Sequence, residues 1–165
     1  MIGRNIQDAI NKQIGAEQFS SQLYLAMSAH CEGKSLRGFG HWLRVQAEEE
    51  TKHAMKLVAF LLDRGGRLEL ASVAAPPTEF GSMTQVFEKI LEHERGNTAQ
   101  INALFELARR EKDYPCEVAL QWYVTEQVEE EATVGRIVDQ LKAMGEQSSG
   151  IWYLDSKMGK RETTA

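Results

Sequence analysis

The chain has 165 residues, 42% of them hydrophobic and 26% charged, which is enough for one domain with a real core and too apolar for a disordered segment. A net charge of -5 argues against a nucleic-acid binder, which would carry a basic stripe. No run of about 18 apolar residues is available to span a membrane. The one small basic cluster, Lys157 with Lys160 and Arg161, reads as a solvated tail. The opening MIGRNIQDAI lacks the charged-then-apolar form of a secretory signal. Cys31 and Cys116 show no metal-finger spacing and read as packed thiols in a reducing cytoplasm.

Proline is confined to Pro76, Pro77 and Pro115, and helical periodicity fills the long segments between. A first helix is expected over 5–32, with Ile6, Ile10, Ile14, Tyr24 and Leu25 on its apolar face. Gly33-Lys34-Ser35 interrupts it, and Ser35 is the expected N-cap of a second helix over 36–64. That helix carries Phe39, Leu43, Ala47, Leu57 and Leu61 and stops at Gly65-Gly66. Residues 65–81 show no clear period. A second helix of this length is roughly 40 Å long. A loop of this size reaches roughly 55 Å when extended. It can therefore travel the whole bundle and start the third helix parallel to the second. Ser82 caps that helix, expected over 82–112 with Val86, Ile90, Ile101, Leu104 and Ala108 inward. Asp113 caps a fourth over 114–144, with Pro115 in its first turn, where a missing N–H costs nothing. The fourth carries Leu120, Tyr123, Val134, Ile137 and Leu141, and Gly145 ends it. A short fifth helix is expected over 149–158, and the final ETTA is expected to fray. The predicted fold class is all-α, a single domain over 1–165: a four-helix bundle with one long crossover and a short C-terminal helix.

Acid interrupts each apolar stripe. On the first helix the stripe steps Ile10, Ile14, Glu17, Ser21, Tyr24. On the second it steps Leu43, Ala47, Glu50, Ala54, Leu57, so Glu50 points inward from the stretch AEEETKH while Glu49, about 100° round the helix, does not. Glu94 and Asn97 interrupt the third stripe, Gln127 and Glu130 the fourth. Any one of these glutamates alone reads as solvated surface. Four at one depth do not, because buried carboxylates must be paired, protonated or metal-bound. No lysine or arginine lies on the stripes at that level. A pair of divalent ions supplies the missing charge, and His53, three residues after Glu50, faces the same ligand. Carboxylates with one imidazole suit iron or manganese. Known di-metal bundles use two Glu-x-x-His motifs. Here there is one, and Gln127 with Glu130 stands at the second place. Read by themselves, Glu49, Glu126 and Glu129 are surface acid, Tyr24, Trp122 and Tyr123 are packing aromatics, and His30, His41 and His93 are surface or packing residues.

Glu17, Tyr24, AEEETKH, His93-Glu94 and DYPCEVALQWYVTEQVEEE together resemble the bacterial non-haem ferritins, over nearly the whole chain. The resemblance implies a first iron position at Glu17, Glu50 and His53, and a second at Glu50, Glu94 and Glu130, with Glu50 bridging. It implies Gln127 beside the bridging oxygen ligand and a third, weaker iron position at Glu49, Glu126 and Glu129, shared with Glu130. Tyr24 and Trp122 match aromatics close to the centre. Bacterioferritins resemble the chain too, but carry histidine in place of Glu130 and a haem-binding methionine in place of Lys52. Rubrerythrins would add a cysteine module. No haem is expected.

The implied function is iron storage with ferroxidase activity on Fe(II) and dioxygen, in a shell of 24 subunits. Two alternatives stay open: a di-iron or di-manganese oxidase or peroxidase without storage, and a purely structural bundle. Neither nucleic acid nor membrane is an expected partner.

Overall fold

The computed structural model describes residues 1–145 and 149–162. They form α1 (Arg4–Gly33), α2 (Arg37–Asp63), α3 (Met83–Arg110), α4 (Tyr114–Met144) and α5 (Ser149–Met158). No strand occurs among the described residues. The bounds differ from the expected ones by a residue or two. Of the expected frayed tail, Glu162 is exposed and residues 163–165 lie outside the described residues.

The starts of α3 and α4 follow their sequence signals. Ser82 and Gln85 form a reciprocal capping box. Asp113 accepts from the Cys116 amide, and Pro115 sits in the first turn of α4. The start of α2 does not follow its signal. Ser35 is not its N-cap; Leu36 occupies that position without a side-chain bond. Ser35 instead closes α1, at a left-handed φ of 63°. Its amide bonds the Glu32 carbonyl and the Leu36 amide bonds the Cys31 carbonyl, the paired bonds of a Schellman ending. Gly65 ends α2 and Lys112 ends α3 by the same pairing, both at positive φ.

Contacts along the helices set their directions. Ser28 donates to the Gly40 carbonyl and Ser21 to the Ala47 carbonyl, so α2 runs antiparallel to α1. Cys31 lies against Met83, and Ser20 against His93, so α3 is also antiparallel to α1. It follows that α2 and α3 are parallel, and the connection between them travels the length of the bundle. It is moored along α1. The buried Asn11 amide donates to the Arg67 carbonyl and accepts from the Glu69 amide. At the far end Lys34 and His30 meet the Gly81 carbonyl, and Phe80 is fully buried. The sequence stretch without a period thus contributes a core residue.

The apolar stripes largely bury as expected. Two details of α1 differ. Leu25 is exposed at 55%, and the fully buried serine is Ser20 rather than Ser21. At about 100° per residue, Leu25 lies a quarter turn beyond Tyr24, outside the inward face. Ser21 lies at its edge, against α2.

Apolar packing fills both ends of the bundle. One cluster gathers Ile6, Ile10, Ile14, Leu57, Leu61, Ile101 and Leu120. The other gathers Met27, Phe39, Leu43, Phe87, Ile90, Ile137 and Leu141. Between them lies a layer of buried polar side chains. The fifth helix docks across the start of α2, burying Leu154 and Met158. Asp155 there accepts the Phe39 amide at 2.9 Å, satisfying a first-turn donor of α2 from another helix.

Candidate metal centre

The polar layer is built by helical spacing. Glu17, Glu50, Glu94 and Glu130 come one from each long helix and are 1–6% exposed. His53 lies one turn beyond Glu50, with Nδ1 at 3.7 Å from Glu50 Oε2. One ligand atom from each of Glu17, Glu50 and His53 falls within 4.8 Å of the others, close enough for a shared cation. Glu94 and Glu130 flank this trio, each held by a partner of its own. Tyr24 donates its hydroxyl to Glu94 Oε1, and Gln127 Nε2 lies 3.2 Å from Glu94 Oε2. Gln46 Nε2 donates to Glu130 Oε1 at 2.8 Å and to Glu50 Oε1 at 3.3 Å.

Charge in this layer is poorly compensated. Burial, and then the neighbouring Glu50, raise the Glu17 carboxyl well above the ordinary range. Burial and Glu94 raise Glu50 likewise. Ligand oxygens of Glu17 and Glu50 lie within 4.8 Å of each other, so charge on Glu50 opposes ionisation of Glu17. Burial and Glu94 push Glu130 up to about 7. The Tyr24 phenol is raised too, by burial first and then by Glu94. A set of hard oxygen donors with one imidazole, ionised only at a cost, fits divalent or trivalent iron chemically, because the metal replaces the protons.

Several residues at the layer had no assigned role from sequence. Gln13 donates to Glu17 at 2.8 Å, and Gln46 serves Glu130 and Glu50. Both lie four residues before the glutamate on the same helix, so the spacing that located the acids also reaches these amides. Asn97 bonds Ser20 at 3.2 Å, and Ser20 lies 2.8 Å from His93 Nε2.

Beside the trio, and reaching its His53, a solvent-facing cavity of about 490 Å³ is lined by Glu49, Glu126, Glu129 and Glu130, with Lys52, Lys56, Trp122 and Arg161. Trp122 makes edge contact with His53 at 5.1 Å and with Tyr123 at 4.8 Å between centroids, and Lys56 lies over its face. Tyr123 donates to the His53 carbonyl at 2.8 Å, fixing the backbone of that residue. The basic cluster is not wholly the solvated tail that its sequence suggests. Lys157 and Lys160 are exposed, but Arg161 is drawn onto α2, where it bonds Glu49 and stacks on Trp42. The electrostatic demand comes from Glu49, which spacing placed outside the core without indicating a partner.

Cys31 and Cys116 are both free and buried, and burial pushes each thiol up to about 12, so they are packing residues rather than nucleophiles.

An antiparallel helix pair joined to a second pair by a bundle-length crossover, with a fifth helix across one end, defines a protein of the ferritin-like fold. A family model described as a ferritin-like domain matches residues 7–144. A bacterial non-heme ferritin of Bacteroides fragilis is 42% identical over 161 residues, covering 98% of this chain and all of that one. A bacterial non-heme ferritin of Campylobacter jejuni is 41% identical over 155 residues, covering 94% and 93%. An engineered closed form of the Archaeoglobus fulgidus ferritin superimposes with a TM-score of 0.97 at 43% identity, over 99% of this chain and all of that one. A humanized archaeal ferritin gives 0.98 at 41% identity over the whole of both. The chain belongs to the ferritin family, on its bacterial non-haem branch.

Proposed function

We propose that this chain is the subunit of an iron store that oxidises Fe(II) with dioxygen inside the bundle and deposits ferric oxide in a hollow shell. The observation that carries the reading is the convergence of Glu17, Glu50 and His53 within 4.8 Å, deep in a layer whose carboxylates lack compensating charge. In this reading Fe(II) is the substrate. One ion enters among Glu17, Glu50 and His53. A second is held by Glu50, Glu94 and Glu130, with Glu50 common to both. Each Fe(II) yields one electron to dioxygen. Hard anionic carboxylates favour the ferric product, and the protons held at Glu17, Glu50 and Glu130 leave as iron arrives.

The remaining side chains position these ligands. Gln127, 3.2 Å from Glu94, orients that carboxylate and stands ready to bond an oxygen between the two ions. Tyr24 holds the opposite edge of Glu94. Glu49, Glu126 and Glu129, with Glu130, form a third and weaker iron position in the outer cavity. Ferric iron hydrolyses to a solid, which requires a container larger than one bundle. The reading supplies it as a shell of 24 identical subunits in the cytoplasm, without haem.

The test adds hundreds of Fe(II) per chain to the metal-free protein in air, followed by size-exclusion chromatography with iron detection. Storage requires iron co-eluting with a soluble particle of many subunits. Precipitated iron beside a small oligomer rejects storage and leaves a di-metal oxidase as the reading of the same glutamates.

A further inference from the structure

We propose that Arg161 is a positioning residue of the metal centre. It holds Glu49 and Gln46 in the metal-free protein, and it must release Glu49 before the outer carboxylate cavity takes a cation. The inference rests on the metal reading above and adds a residue outside the family-matched stretch 7–144.

The geometry begins with α5. Gly38 lets α5 lie directly on the first turn of α2. A Cβ on Gly38 would meet the Asp155 carbonyl oxygen at 1.7 Å, and one on Gly159 would lie 3.4 Å from Gly38 Cα. The chain leaving α5 is thereby delivered along the face of α2 that carries Trp42, Gln46 and Glu49. His41 Nε2, 2.8 Å from the Arg161 carbonyl oxygen, secures the backbone there. The guanidinium carbon lies 4.3 Å from the Trp42 ring centroid. Nη1 donates to Gln46 Oε1 at 2.8 Å and reaches the Trp42 carbonyl at 3.4 Å, while Nη2 donates to Glu49 Oε2. A planar fork stacked on an aromatic face and bonded on both prongs is a fixed arrangement, unlike a mobile surface arginine.

Two consequences follow for the centre. Arginine has donors only, so Gln46 must turn its oxygen toward Arg161. Its amide nitrogen then faces inward, where it donates to Glu130 at 2.8 Å and Glu50 at 3.3 Å. Arg161 thus orients, through one amide, two carboxylates of the dinuclear position. It also places a permanent positive charge on Glu49, one of the ligands of the outer position. A metal ion arriving there competes with the guanidinium for the same oxygen and is repelled by its charge while both remain. Arg161 thereby weakens the outer position beyond the repulsion that Lys52 and Lys56 in the same cavity supply.

Zinc(II), which has no redox chemistry, isolates binding from turnover. Calorimetric titration of the assembled, metal-free protein should resolve tight equivalents at the centre and a weak one at the cavity. Arg161→Ala should tighten the weak equivalent at least about tenfold, in the range by which residues bonded to metal-binding side chains alter metal affinity. Added guanidinium ion should loosen it again, which a merely structural role would not do. The tightened equivalent should vanish in the Arg161→Ala/Glu49→Gln double variant. Arg161→Lys, which keeps the charge without the fork, should fall between, and it carries the comparison if the alanine variant does not assemble. A Glu49-dependent weak equivalent of unchanged affinity in the Arg161 variants overturns the role of Arg161 alone. A zinc count unaffected by Glu49→Gln in either background overturns the outer metal position, and this inference with it.

Discussion

Glu50 touches the most of the site's chemistry for a single side chain. It lies beside Glu17 at the candidate cation position, faces His53 and accepts from Gln46. Under the proposed function Glu50 serves both iron positions, so Glu50→Ala should abolish the rapid phase of Fe(II) oxidation that this reading expects in stopped-flow absorbance. Gln46→Leu leaves every proposed ligand in place but removes the donor to Glu130 and Glu50, and should weaken metal affinity by about 10- to 100-fold in a zinc titration. The acid layer also governs the metal-free protein. Glu130 is held up to about 7 and faces Glu94, Gln46, Arg161 and His53. Its unfolded value is that of an ordinary glutamate, about 4.3. The folded state therefore binds more protons than the unfolded one across that interval. The associated stability is fully present below the unfolded pKa and is lost as pH rises through the folded one. Calorimetry should show the metal-free Tm falling between about pH 5 and about pH 8, as this group's contribution of on the order of 3 kcal/mol to the unfolding free energy is lost. Glu130→Gln should flatten that fall.

Helix ends carry the clearest effects at the scale of an element. Ser35 and Lys112 hold left-handed backbone at φ of 63° and 55°, where glycine alone avoids a Cβ penalty. Ser35→Gly and Lys112→Gly should each stabilise the protein by about 0.5–1 kcal/mol in chemical denaturation, and the two should add because the sites share no partner. Asp113 works in the other direction. It caps α4 and receives both prongs of Arg64 at 2.8 and 3.0 Å, and that bond holds its carboxyl below the usual range. Asp113→Ala should cost about 1–2 kcal/mol, with the loss disappearing in acid as the wild-type carboxyl protonates.

At the scale of the whole molecule, the glycine contact between α2 and α5 decides whether the tail is part of the structure. Gly38→Ala would drive a methyl into the Asp155 backbone. The expected outcome is undocking of α5 while α1–α4 remain folded, read as new protease cleavage within 149–162 with helical content nearly unchanged. It also separates Arg161 from Glu49, so its zinc titration should follow that of Arg161→Ala.

Much of this molecule is determined locally. Four helices, their order, two of their caps and the depth of Glu17, Glu50, Glu94 and Glu130 follow from a period of 3.6 residues and from turn chemistry, both of which act over a few residues. The bundle-length crossover follows from reach. The rest required the assembled fold, because it depends on partners distant in sequence. Ser35 looks like a cap until the Schellman bonds ending α1 claim it. Phe80 sits in a stretch with no period and is buried because the crossover meets the core at its far end. Arg161 is 112 residues from Glu49 and 115 from Gln46, and a basic tail gives no local sign of which carboxylate it will meet. Helical spacing decides which side chains share a face. Only the packing of one helix against another decides what that face touches.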